Sequence, residues 1–146
     1  MKTLSLGHVV LNVKSCEESE RFYTGVLGIP VASRLTEPMR MTFFTLGNHH
    51  DFATMEVPPD APPAAPGSPG LAHVAFKVGD SLDELRAVKQ EIEAAGVDIH
   101  WTVNHMVTQS IYLHDPDGNE IELYVDSSDA WKTNPDLVKE FAELQL

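Results

Sequence analysis

Hydrophobic and polar residues alternate in two short segments, one near the start of each half of the chain. The segments are GHVVLNV at 7–13 and AHVAFKV at 72–78. An alternating run that is rich in β-branched residues predicts a β-strand. In each segment the apolar side chains fall on one face, and a histidine, His8 or His73, falls on the other. The apolar faces are therefore predicted to pack in a core, and the histidine faces to line a cavity.

Each predicted strand is followed by a segment with helical features. Both segments open with a serine and, three residues later, a glutamate, the capping box that satisfies free backbone donors at a helix start. The first helix is predicted near 16–26, before Gly28, and the second near 82–95, before Gly96. Further extended runs follow each helix, and they lie at 40–46, 51–57, 97–107, 109–114 and 120–125.

A segment rich in proline and alanine, 58–70, separates the two halves and predicts a linker. The chain is therefore interpreted as one α+β domain, 1–146. It contains two paired βαβββ modules, about 4–57 and about 71–126, that form a curved mixed sheet around a cavity. The tail, 127–146, is predicted to be helical. Its apolar anchors are Trp131, Leu137, Val138, Phe141 and Leu144.

Strand alternation also places polar residues of the later strands on the cavity face. Glu122 and Tyr112 fall on the side opposite to their apolar neighbours, as His8 and His73 do. Two imidazoles and one carboxylate form a site for a first-row divalent metal with open coordination positions. The alternative is that each residue is simply polar on a half-exposed strand. The corresponding positions of the two histidines in the two modules argue against it.

Composition narrows the range of functions. The net charge of −12 argues against nucleic acid, which is bound by a surplus of lysine and arginine, and against an anionic membrane surface. The N-terminus lacks the continuous apolar core of a signal peptide, and no run of about 18 apolar residues predicts a membrane span. Cys16 is the only cysteine, which suits a reducing compartment. We expect a soluble cytoplasmic protein that acts on a small molecule.

The openings GHVVLNV and AHVAFKV, the segment SERFYTGVLGIP and the segment YLHDPDGNEIELY resemble the vicinal oxygen chelate superfamily. That superfamily includes glyoxalase I, bleomycin-resistance proteins, fosfomycin-resistance enzymes and extradiol ring-cleavage dioxygenases. The resemblance covers residues 4 to about 126. It implies that His8, His73 and Glu122 hold the metal, and it makes Glu56 a candidate for the fourth protein ligand that glyoxalase I has.

The segment NHMVTQSIYLHDPDGNEIELY is most similar to catechol-type extradiol dioxygenases, in which a tyrosine precedes the glutamate ligand by ten residues. Tyr112 and Glu122 keep that spacing, and His105 lies seven residues before Tyr112. The resemblance implies that His105 is the acid–base group and that Tyr112 hydrogen-bonds the substrate. His100 is a weaker candidate for the role of His105. Met106 departs from the pattern, because the catechol enzymes often have glycine there.

These features together predict an Fe(II)-dependent extradiol dioxygenase that cleaves a small aromatic diol with O₂, with Mn(II) as the alternative metal. We also expect a homodimer or a higher homo-oligomer. Another metal-dependent enzyme of the same fold, such as an isomerase, epimerase or thiol transferase, is the alternative. A metal-free drug-binding protein is a third possible function, but the intact set of metal ligands argues against it. His49 and His50 follow a predicted hairpin turn and are expected to be exposed to solvent.

Overall fold

In the computed structural model, which describes residues 2–65 and 67–146, the chain divides into two units, Met1–Ser68 and Pro69–Leu146. Each unit contains one of the predicted βαβββ modules and has its own mixed sheet. The α+β fold class is therefore confirmed. The described residues of 58–70 lie in neither helix nor strand, as a linker requires, and Pro66 lies outside the described residues. The single-domain organisation stays a prediction.

The first module forms a four-stranded sheet with the order β1-β4-β3-β2, in which only β1 and β4 pair in parallel. The predicted βαβββ pattern includes the strand β2, but no extended run was assigned to it. Its sequence VASRL does not alternate, and its three middle residues are exposed at the edge of the sheet. The elements are β1 Val9–Val13, α1 Cys16–Gly25, β2 Val31–Leu35, β3 Met41–Phe44 and β4 Phe52–Glu56.

The second module forms a five-stranded sheet with the order β5-β8-β7-β6-β9. β8 lies between β5, to which it is parallel, and β7, to which it is antiparallel. Glu122 on β8 is therefore flanked by Ala75 on one side and by Tyr112 on the other. The elements are β5 His73–Gly79, α2 Leu82–Ala94, β6 Ile99–Asn104, β7 Thr108–His114, β8 Glu120–Asp126 and β9 Ala142–Glu143.

Both helices begin at the predicted capping serines. The backbone N–H of Glu18 donates to Ser15 Oγ at 3.3 Å, and that of Glu84 donates to Ser81 Oγ at 3.3 Å. In the second helix the carboxylate of Glu84 also accepts from the Ser81 hydroxyl at 2.7 Å and from the backbone N–H of Asp80 at 2.9 Å. These bonds satisfy backbone donors that a helix start leaves free, which explains why the starts were predictable.

The strand faces follow the predicted alternation. In β1, Leu11 and Val13 are buried, whereas the alternate residues Val10 and Asn12 are exposed. In β8 the buried apolar residues are Ile121, Leu123 and Val125. The side chains on the opposite face point away from the core and can therefore form a functional site. Among the described residues, neither helix has the length and apolar character that crossing a bilayer requires.

The tail was predicted to be helical, but its described residues form no α-helix. The tail contains two short 3₁₀ helices, Ala130–Lys132 and Pro135–Lys139, and the strand β9, which pairs antiparallel with β6. An α-helix running from Asp129 would place Pro135 in its interior, where proline removes a backbone hydrogen bond and clashes with the preceding turn. In the structure Pro135 instead begins a new short helix, whose start is capped by the Asn134 side chain.

Candidate metal and catalytic site

The sheet of the second unit bears a cavity of about 450 Å³. Four of the five predicted site residues line it, namely His73, His105, Tyr112 and Glu122. The tail closes one side with Trp131 and Val138. The remaining wall is formed by Ala75, Val107, Thr108, Tyr124 and Asp126. The fold of this unit therefore brings together three residues that strand alternation predicted, His73, Tyr112 and Glu122, and one that the family resemblance implied, His105.

His73 and Glu122 project from neighbouring strands and contact each other. His73 Nε2 lies 3.1 Å from Glu122 Oε2. The other carboxylate oxygen, Oε1, accepts a hydrogen bond from the hydroxyl of Ser110 at 2.6 Å. Glu122 and Ser110 are both buried. The serine therefore holds the carboxylate so that its second oxygen is directed at the histidine.

Ser110 has a role that the sequence analysis missed. It lies on β7 two residues before Tyr112, and side chains two residues apart on a strand share a face. This alternation was the available signal, but serine is a common residue on sheets and nothing in the motif marks it. Its hydroxyl satisfies one oxygen of a buried carboxylate, a group that is costly to bury without such a partner.

Tyr112 and His105 form the second contact in the cavity. Tyr112 lies directly opposite Glu122 in the antiparallel pair of β7 and β8, and its Oη is 3.1 Å from His105 Nε2. Burial first, and then the negative charge of Glu122, raise the pKa of Tyr112. Its phenol therefore stays protonated at neutral pH and can donate a hydrogen bond.

The turn between β6 and β7 orients His105. The backbone N–H of His105 donates to the carbonyl of Thr108 at 2.8 Å, and Met106 at the turn has a φ of 67°. This positive φ lies in the left-handed region that favours glycine, which gives a physical reason why glycine is frequent there in the enzymes that the segment resembles. Met106 accepts the conformation with its N–H bonded to the Asn104 side chain at 2.9 Å.

The donor set in this cavity fits a first-row divalent metal. Imidazole nitrogen and carboxylate oxygen both bind such ions at about 2.1 Å, so two ligands at right angles around one ion are about 3 Å apart. His73 Nε2 and Glu122 Oε2, at 3.1 Å, have this separation. The pair could therefore occupy two neighbouring positions of one ion without moving apart.

His8 belongs to the first unit and lies just before β1, the position that His73 holds at the start of β5. Its side chain is exposed, and its ring centroid lies 4.1 Å from that of His50 and 6.4 Å from that of His49. His49 is exposed as expected, whereas His50 is half-buried. The assignment of His8 as a metal ligand stays a prediction.

Glu56, the candidate for a fourth ligand, is already engaged within the first unit. Its Oε2 accepts a hydrogen bond at 3.0 Å from the backbone N–H of Cys16, at the start of α1, and its Oε1 lies 3.7 Å from the guanidinium of Arg40. A carboxylate at a helix N-terminus is stabilised by the partial positive charge there. The structure therefore gives Glu56 a helix-capping role.

His100 does not line the cavity with Tyr112. Its Nε2 lies 3.0 Å from Glu120 Oε1, and its ring stacks on that of His114. Of the two histidines considered for acid–base chemistry, only His105 contacts the tyrosine.

The family model described as Glyoxalase/Bleomycin resistance protein/Dioxygenase superfamily matches residues 5–123. The chain therefore belongs to this superfamily. It is also similar in fold to the crystal structure of a glyoxylase/bleomycin resistance protein/dioxygenase domain from Frankia sp. EAN1pec. That likeness has a TM-score of 0.72 at 20% identity and covers 86% of this chain and 99% of the other.

Two relatives in the superfamily have different activities in their names. The chain is 33% identical over 130 residues to biphenyl-2,3-diol 1,2-dioxygenase 3 of Rhodococcus globerulus, which covers 86% of this chain. It spans only 65% of the length of that relative. It is 31% identical over 125 residues to glutathione transferase FosA of Serratia marcescens, covering 84% of this chain and 82% of that protein.

Replacing Glu122 by glutamine should lower the pKa of Tyr112. The substitution removes the negative charge that disfavours the phenolate, so the phenolate forms at lower pH. The measurement is the growth of tyrosinate absorbance with pH, with far-UV circular dichroism to confirm that the protein stays folded. Glu143→Gln, an exposed charge removed from β9, is the matched control and should leave the titration unchanged. Identical titrations of Glu122→Gln and the native protein would contradict the assigned coupling.

Proposed function

We propose that the protein is an Fe(II)-dependent extradiol dioxygenase that cleaves the ring of a catechol-type diol with O₂. The observation that carries the proposal is the contact of His105 with Tyr112 at 3.1 Å, in the same cavity as the His73–Glu122 pair. A proton-transfer pair beside a metal-ligand pair suits a diol that must lose protons as it binds. The similarity to biphenyl-2,3-diol 1,2-dioxygenase 3 supports the same class of substrate.

His73 and Glu122 would hold the metal, and His8 is the proposed third ligand. The equivalent positions of His8 and His73 in the two modules support the inclusion of His8. Iron bound by two histidines and a carboxylate would supply open coordination positions for the diol and O₂. Manganese suits the same donor set and is the alternative metal.

Tyr112 and His105 would handle the protons of the diol. Tyr112 remains a phenol, so its Oη donates a hydrogen bond to a diol oxygen and holds that oxygen in place. His105 also lines the cavity, with its Nε2 3.1 Å from the tyrosine oxygen, and would accept the proton that the diol releases and return it during ring opening. Histidine suits this task because its ordinary titration range is close to neutral pH.

The walls of the cavity suit an aromatic ring. Val107, which is buried, forms part of the cavity wall, and Trp131 and Val138 of the tail add further apolar surface. Aromatic rings bind well to such surfaces. The partners in this proposal are therefore a small aromatic diol and O₂. The homodimer stays a prediction.

A metal-dependent thiol transferase is the second candidate, and one observation favours it. The chain is 31% identical to glutathione transferase FosA of Serratia marcescens and covers 82% of that protein. Both candidates use a metal held by the same kind of side chains. They differ in that only the dioxygenase consumes oxygen.

Oxygen uptake separates the two candidates. Protein that has been loaded with iron under anaerobic conditions is supplied in turn with catechol, 3-methylcatechol and a 2,3-dihydroxybiphenyl while the visible spectrum is recorded. The proposal expects oxygen loss together with a new yellow absorbance. Glu122→Ala should lose both iron and activity. No uptake by iron-bound protein would contradict the dioxygenase, and full iron occupancy in Glu122→Ala would contradict the ligand assignment.

Changing His105 to phenylalanine should slow ring cleavage by about 100-fold or more, because general acid–base groups contribute factors of that order. Iron content should not change, since His105 is proposed to move protons and not to bind the metal. His49→Phe removes an exposed histidine of the first module and serves as the matched control. Turnover and iron content are measured on the same samples. Equal rates for His105→Phe and the control would exclude the proton-transfer role.

A further inference from the structure

Three side chains with metal-binding groups meet outside the cavity, at another part of the second sheet. They are His100 on β6, His114 at the end of β7 and Glu120 at the start of β8. His100 Nε2 lies 3.0 Å from Glu120 Oε1, and the rings of His100 and His114 lie 4.4 Å apart. One potential ligand atom from each of the three residues lies within 4.8 Å of the others.

The backbone explains why these residues meet. His114 and Glu120 are directly paired across β7 and β8. On β6 the register shifts, because Ile99 pairs with Leu113 while Trp101 pairs with the adjacent Tyr112. His100 is therefore the extra residue of a β-bulge, a feature that redirects a side chain out of the regular alternation. The bulge brings its imidazole to the His114–Glu120 pair.

We propose that His100, His114 and Glu120 form a second binding site for a first-row divalent cation such as Zn²⁺. Two imidazoles and one carboxylate are the donor types that such ions accept, and three protein ligands leave positions for water or a further ligand. Among the described residues, the ion pairs of Glu120 involve His100 and no lysine or arginine. The carboxylate charge is thus available to a cation.

The site is separate from the cavity that holds His73 and Glu122. Glu120 and Glu122 are two residues apart on β8, which corresponds to about 7 Å along a strand. The two carboxylates have different partners, because Glu120 contacts His100 whereas Glu122 contacts His73 and Ser110. Neither His100 nor His114 lines the cavity of the first site.

An ion can reach the proposed site from solvent. His100 and His114 are exposed and Glu120 is half-buried. A cavity of about 470 Å³ between β6 and β9 borders His100. The net charge of −12 also favours the approach of cations over that of anions. The potential ligand atoms of the three residues already lie within 4.8 Å of one another.

Zinc binding tests the proposal in a variant that lacks the three proposed ligands of the first metal site. The variant His8→Ala/His73→Ala/Glu122→Ala removes the proposed catalytic ligands and also His8 from the group that it forms with His49 and His50. Isothermal titration with Zn²⁺ should still show one ion bound per chain. Adding His100→Ala/His114→Ala should abolish this binding. Adding Glu120→Gln should weaken it by about 10-fold or more, at least the effect of losing an outer-shell partner.

The matched control removes two histidines elsewhere. In the same background, His49→Ala/His50→Ala should leave zinc affinity and stoichiometry unchanged. Far-UV circular dichroism verifies the fold of each variant. Absence of zinc binding in the background, or an equal loss in the control and in His100→Ala/His114→Ala, would overturn the proposal.

A measurement on the unaltered protein tests the proposal even if one of the variants does not fold. Imidazole resonances in a ¹H–¹⁵N correlation spectrum are followed while Zn²⁺ is added. The proposal expects saturable shifts at His100 and His114, besides any at the first site. Shifts confined to His8, His49, His50, His73 and His105 would contradict it.

Discussion

The carboxylate of Glu122 lies in the middle of the second sheet, buried between β5 and β7, and the arrangement around it depends on how this charge is satisfied. A buried carboxylate is costly unless it is paired and hydrogen-bonded. Ser110 donates to one of its oxygens and His73 contacts the other, while burial and then the Glu122 charge raise the pKa of the neighbouring Tyr112. One residue thereby contacts His73 and lies opposite Tyr112, which in turn contacts His105.

Much of this site was predictable because strand alternation is a geometric rule. A segment such as AHVAFKV can bury only one of its two faces, so the exposed position of His73 follows from the apolar residues around it. The same rule assigns Glu122 and Tyr112 to one face, and the register of β7 and β8 then sets them directly opposite each other. The helix starts were predictable for a similar reason, since capping is local chemistry.

Other features depend on interactions that no local pattern encodes. The edge strand β2 lacks alternation, and the tail is divided by Pro135 and held by pairing of β9 with β6. The meeting of His100 with His114 and Glu120 follows from a bulge, which shifts the register by one residue and cannot be deduced from alternation. The distinction between His100 and His105 as acid–base groups likewise required the structure, because both lie in or next to the same strand.

Membership of the superfamily sets the fold and leaves the reaction to the cavity, since one fold supports many activities. The distinguishing feature here is that the His105–Tyr112 contact and the His73–Glu122 contact lie in one cavity. The most direct test is to supply oxygen-18 gas to the iron-loaded protein with a catechol and to determine the mass of the product. The account predicts a ring-opened product that carries both atoms of one O₂ molecule. A product without label, or with a single labelled atom and an intact ring, would contradict it.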